Sequence, residues 1–157
     1  MPSQIKVDEI KNVAGQYKIK TNVFEGQTTA SSIAVQGEGT ATTNLQQGLT
    51  KSWVNLDKTA SGAAARDSFN VSGTTDNATG DFTVTFSNNF SNANYSVASH
   101  GCRFHSNEGD FVLANYYSSA YSDGQATSFN RVLSTYASSQ NAFDIHVASM
   151  QYLGDLA

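Results

Sequence analysis

The densest collection of side chains able to bind metal or act as nucleophiles is His100-Gly-Cys102-Arg-Phe-His105. Two imidazoles and a thiol so close together are raw material for zinc, which takes Cys and His ligands. The paired spacings of zinc modules are missing, however, and no second cluster follows. On an extended strand His100 and Cys102 share one face while His105 falls on the other. The metal option that survives is axial, with His105 or His146 supplied once per chain around a threefold axis. A Cys102–His nucleophile pair is the enzymatic alternative, but a reactive thiolate needs an electropositive setting. Arg103 points to the opposite face of such a strand, so Cys102 reads better as a small buried hydrophobe.

Asp76, Asp81, Glu108, Asp110 and Asp123 are the second candidate set. Paired carboxylates cleave glycosides, and Asp-rich loops bind calcium. Here the acids stand singly in Asn/Gly turns, where Asp is favoured for hydrogen bonds to its own backbone, and the Asp-x-Asn-x-Asn-Gly calcium loop is absent. The third set is aromatic. Tyr116, Tyr117, Tyr121 and Phe129 gather around loops of the C-terminal half, where they serve either as a recognition platform or as a subunit interface. The expectation is no catalytic residue, no metal and no cofactor, and therefore no enzyme.

The elements that must position these groups are written in composition and alternation. Charged residues are 14% of the 157, against about 25% in an average soluble domain. Ser, Thr, Asn, Gln, Ala and Gly fill the gap, a balance common in all-β appendages. Residues 1–66 carry a net charge of +2 and residues 67–157 carry −6. An acidic C-terminal half argues against nucleic acid, whose phosphates need clustered Lys or Arg. One cysteine excludes an intrachain disulfide. No apolar run approaches the length of about 20 residues that a membrane helix needs, and the opening Met1–Ile10 is too acidic and broken for a signal peptide.

Residues 51–157 hold most of the aromatics and alternate apolar with polar. Strands are expected at 51–56, 66–72, 80–87, 93–100, 110–117, 127–136 and 142–152, with turns that include Gly73–Gly80. Phe82, Val84 and Phe86 face one side; Asp81, Thr83 and Thr85 face the other. Phe143, Ile145 and Val147 repeat the pattern, with Asp144 and His146 outward. Trp53 is expected at the start of the core with its indole N–H on a loop carbonyl. This is the grammar of an all-β chain: a C-terminal antiparallel β-sandwich, jelly-roll-like, without a helix. Before it, residues 1–25 read as an extended β arm, with Ile5, Val7, Ile10, Tyr17 and Ile19 as its apolar anchoring positions. Residues 26–50 are linker-like, apart from a short strand at 33–35, and read as an extended connector.

The order Lys51-Ser-Trp-Val-Asn-Leu, Arg66-Asp-Ser-Phe-Asn-Val-Ser72, Thr75-Asp-Asn-Ala-Thr-Gly-Asp-Phe-Thr-Val84 and Asn92-Ala-Asn-Tyr-Ser-Val97 resembles the C-terminal module of tail-fibre-like virion proteins of bacteriophages, especially phages of marine bacteria. The start, Ser3-Gln-Ile-Lys-Val-Asp-Glu-Ile10, resembles the start of such proteins. The likeness covers about a third of the chain, mainly residues 51–97, and is looser over 98–157. It implies a structural component of the virion, a tail-fibre-like appendage or fibre adaptor, made in the host cytoplasm and released by lysis. It also implies self-association as a homotrimer, other virion proteins of the tail, portal adaptor or capsid as partners, and host-surface glycan as a further contact. A capsid decoration (cement or head-fibre) protein is one alternative. A carbohydrate-binding module or depolymerase is another. No partnership with nucleic acid and no membrane insertion are expected.

Overall fold

The computed structural model describes residues 33–36, 40–59, 62–102, 111–115, 124–137 and 139–157. The proposed arm positions Ile5, Val7, Ile10, Tyr17 and Ile19 lie outside the described residues. A small antiparallel hairpin comes first, β1 (Ala34–Gln36) with β2 (Thr42–Asn44). One helical turn follows, α1 (Leu45–Gly48), whose first N–H donates to the Ile33 carbonyl. Within the expected connector, therefore, the chain is in part a hairpin. Val35, Leu45 and Leu49 remain exposed on it.

The rest is a two-layer sandwich. In chain order its strands are β3 (Thr50–Asp57), β4 (Ala64–Phe69), β5 (Val71–Ala78), β6 (Asp81–Phe86), β7 (Ser96–Cys102), β8 (Phe111–Asn115), β9 (Phe129–Tyr136) and β10 (Val147–Leu153). The first sheet runs β4-β3-β10-β7 and the second β5-β6-β9-β8, every pairing antiparallel. Between them lies one core. Val54 and Leu56 of β3 and Ala148, Met150 and Tyr152 of β10 meet Phe82, Val84 and Phe86 of β6 and Val132 of β9. Alternation produces this directly, because successive side chains on a strand point to opposite sheet faces. At one end Phe86 meets Phe90, Tyr95 and Tyr152 edge-on, with ring centroids 4.9, 5.6 and 5.0 Å away. That is the arrangement aromatic quadrupoles favour.

Four sequence expectations are corrected. The run 66–72 is not one strand: it breaks at Asn70, which takes a left-handed φ of 56° and carries the chain from the first sheet to the second. Asn tolerates that conformation better than most residues. Its side chain also secures the corner, donating to the Lys51 and Asn88 carbonyls and accepting the Asn88 backbone N–H. Gly73–Gly80 is not a turn but mostly strand β5, and the tight turn is confined to Thr79-Gly80. In 142–152 the strand starts only at Val147, and the buried phase moves from Phe143 and Ile145 to Ala148, Met150 and Tyr152. Trp53 is outside the core: Val54 and Leu56 take the inward positions, so Trp53 faces away. No hydrogen bond from its indole N–H to a loop carbonyl is present among the described residues.

Gly80 is obligatory for the β5–β6 turn. Its φ is +69°, and a Cβ there would stand 2.6 Å from the Ser134 carbonyl oxygen. The approach is close because Ser134 donates to the Gly80 carbonyl through its N–H at 2.8 Å and its Oγ at 3.2 Å.

Candidate functional site

The outer face of the first sheet carries two rows of side chains set by strand register. Phe69 of β4, Trp53 of β3, Gln151 of β10 and Ala98 of β7 stand side by side. In the next row are Asp67, Asn55, Ser149 and His100. Alternation with the buried Val54, Leu56, Ala148, Met150 and Tyr152 keeps both rows on the solvent side. A groove of about 410 Å³ runs over this face, bounded by Trp53, Asn55, Ala98, His100, Ser149 and Gln151. Its size lies within the range of about 300–1,000 Å³ usual for ligand clefts.

Trp53 is half-buried against its neighbours, while Phe69 beside it is 53% exposed. The Asn55 amide is held in place: its Nδ2 donates to Ser149 Oγ at 2.9 Å, and Arg66 approaches its Oδ1 at 3.4 Å. Arg66 donates mainly elsewhere, to the Leu56 carbonyl at 3.1 Å and to Asp57 Oδ2 at 2.7 Å. The Arg66 guanidinium is thus matched by a carboxylate at the rim. Gln151 is exposed, and its amide has no hydrogen-bond partner among the described residues.

The carboxylates that invited catalytic or calcium readings are engaged in structure. Lys58, 2% exposed, follows β3 and reaches Asp76 of β5 at 2.7 Å and Asp144 at 2.9 Å. The same Asp144 oxygen accepts the Gly80 N–H at 2.7 Å. Burial is the largest single influence on the Lys58 ammonium and lowers its pKa. The two carboxylates together outweigh it and leave the pKa above the ordinary lysine value. Asp81, 5% exposed, receives a two-pronged contact from Arg131, Nε to Oδ1 at 2.8 Å and Nη2 to Oδ2 at 2.5 Å, and a further bond from Asn77. Burial lowers Lys51, with Asp155 opposing, and burial raises the phenols of Tyr95 and Tyr152.

Of the candidates singled out in the sequence, His100 is brought into the groove, and Cys102 lies in β7. Arg103, His105, Glu108, Asp110, Tyr116, Tyr117, Tyr121 and Asp123 lie outside the described residues, as does the Cys102 side chain. Phe129 is half-buried on the outer face of the second sheet, opposite Thr85, away from the Trp53 groove. No group of three or more His, Cys, Asp or Glu side chains placed to hold a metal occurs among the described residues. The groove escapes a reading that places Trp53 in the core. The signal was present: once Val54 and Leu56 are taken as inward, Trp53 and Asn55 must face out together.

Comparison with known protein families, with curated proteins and with solved structures returns no match.

Proposed function

We propose that this chain is a non-catalytic structural component of a bacteriophage virion, a tail-fibre-like appendage or fibre adaptor that self-associates as a homotrimer. The observation that carries the proposal is the placement of the motifs on which the resemblance rests. Residues 51–97 supply β3, β4, β5 and β6 and enter β7, so the likeness lies on the frame of the sandwich and not on a peripheral loop. The chemistry of the described residues supports the non-enzymatic part. Asp57, Asp76, Asp81 and Asp144 are each committed to a Lys or Arg, which suits a structural carboxylate and not a general acid. Two exposed edge strands, β4 and β5, favour assembly, since closed symmetric packing is a usual means of covering sheet edges.

Immunogold labelling of phage particles that encode this sequence is the test. Label at the tail is the expected result. Label spread over the head would transfer the chain to the decoration proteins, and particles free of label would end the virion reading. Release of reducing sugar from host polysaccharide by the purified chain would overturn its non-catalytic part.

A further inference from the structure

We propose that the outer face of the β4-β3-β10-β7 sheet is a binding site for a neutral glycan, with a sugar ring stacked on Trp53 and its hydroxyls held by Gln151, Asn55 and His100. A pyranose ring offers a partly apolar C–H face and a rim of hydroxyls that both donate and accept. An aromatic plane flanked by hydrogen-bonding side chains therefore suits it, and uncharged groups that both donate and accept serve its hydroxyls without the cost of desolvating a charge. Amides and imidazoles have that capacity; carboxylates and ammonium groups do not.

The register supplies the combination. Trp53 and Gln151 are direct cross-strand partners, and Asn55 and Ser149 are the partners in the next row on the same face, with His100 beyond Ser149. Adjacent rows on one face are about 7 Å apart and adjacent strands about 5 Å, a footprint that suits one or two sugar rings. Phe69, across from Trp53 on β4 and largely exposed, extends the aromatic strip for a further ring.

Trp53 is half-buried and Asn55 is hydrogen-bonded to Ser149, which lowers the ordering cost of binding. Gln151 keeps its amide turned to solvent with no internal partner among the described residues.

Charge selects the class of glycan. None of the nine residues lining the groove is a Lys, Arg, Asp or Glu. Arg66 at the rim is paired with Asp57, and Asp67 in the second row is exposed. Among the described residues Arg66 at this rim is already paired, and a sialylated or uronic-acid glycan would meet the Asp67 carboxylate. A neutral hexose or N-acetylhexosamine chain meets neither obstacle.

This site gives the proposed appendage something to hold, and rests on that reading for its biological setting. Its test uses the purified full chain alone. Trp53 is the only tryptophan, so intrinsic fluorescence reports on this face without a label. The chain is titrated with neutral oligomers of glucose, galactose, mannose and N-acetylglucosamine, and with sialyl-lactose. The expected result is a saturable fluorescence change with at least one neutral oligomer and none with sialyl-lactose. Gln151→Ala should weaken that binding by about tenfold, the scale of one good hydrogen bond. Trp53→Ala, followed by saturation-transfer NMR in place of fluorescence, should abolish it, and Trp53→Phe should retain part of it. The Gln151 side chain is exposed, so its variant keeps the test clear of folding defects.

The proposal is overturned if no neutral oligomer binds, if only the charged glycan binds, or if binding survives both Gln151→Ala and Trp53→Ala unchanged. It is also overturned if Trp53 fluorescence changes with protein concentration in a way that Phe69→Ala removes, because the face is then an interface between copies. Glycan binding by a chain absent from particles would sink the virion role and spare this site. A labelled tail with no glycan binding would do the reverse.

Discussion

The two outer faces of the sandwich use their polar groups in opposite ways. On the second sheet, Arg131 and Asn77 turn inward on Asp81, and Asn77 also bonds Thr83 at 2.9 Å. These described groups are bonded to one another. On the first sheet, Trp53, Phe69, Gln151 and His100 reach solvent, and the bonds across the face are Asn55 to Ser149 and, at the rim, Arg66 to Asn55 and Asp57. One face contributes to holding the fold; the other is left available. Both descend from the same period-two alternation, so what separates them is the choice of side chains at outward positions.

Mutation of each face should expose this asymmetry. The largest effect is expected for Arg131→Met, which strands a nearly buried carboxylate and should destabilise the fold by about 3–4 kcal/mol, read as a fall in the urea midpoint with unchanged slope. Lys58→Met follows, at about 2–3 kcal/mol. The figure is smaller because Asp76 and Asp144 keep 35% and 38% of their side-chain surface in water, which screens the charges left behind. Asn70→Ala loses the side-chain bonds of the corner and puts a less tolerant residue at positive φ; about 1–3 kcal/mol is expected. Gln151→Ala on the open face should move stability by less than about 0.5 kcal/mol. Comparable losses from Gln151→Ala and Arg131→Met in chemical denaturation would erase the distinction between the faces.

A pH series sharpens the comparison, because among the described residues the groups with shifted pKa lie in the interior and at the joint between sheets and not in the groove. Lys58, Tyr95 and Tyr152 all hold their protons more tightly when folded. Such groups support folding fully below their unfolded pKa values, about 10 for Tyr and 10.4 for Lys, and lose that support as pH climbs through the folded values. Lys51 has the opposite sign, since its lowered pKa means that its cost fades as pH rises. Three against one, stability should decline from about pH 10 upward, and Tyr152→Phe should flatten the decline in denaturation midpoints taken on either side of that value.

Much of the fold was legible in the residues. Strand β6 was plain because Phe82, Val84 and Phe86 alternate with polar partners and the strand is central, buried on its inward face. Strand β5 was illegible for the converse reason. At the sheet edge its Ser72-Gly-Thr-Thr-Asp-Asn run is mostly exposed, so neither face had to be apolar and the composition resembled a turn. Lys58 gave no local signal, because its two partners come from 18 and 86 residues away. The groove was half legible. The phase of β3 was readable, but which strands lie beside it follows from a chain path that returns through β10, and alternation does not encode that path.

The corner at Asn70 has a consequence for how this chain tolerates change. With one residue between β4 and β5, no slack separates the two layers. A one-residue slip exchanges inward and outward side chains, and the β3–β4 and β5–β6 registers already carry bulges to which a further insertion would add. An extra residue beside position 70 would have to rotate β5 out of step with β6 or pull β4 off β3. Evolution of such a hinge should therefore proceed by swapping side chains and not by changing length, and any lengthening should occur in the longer crossings between layers.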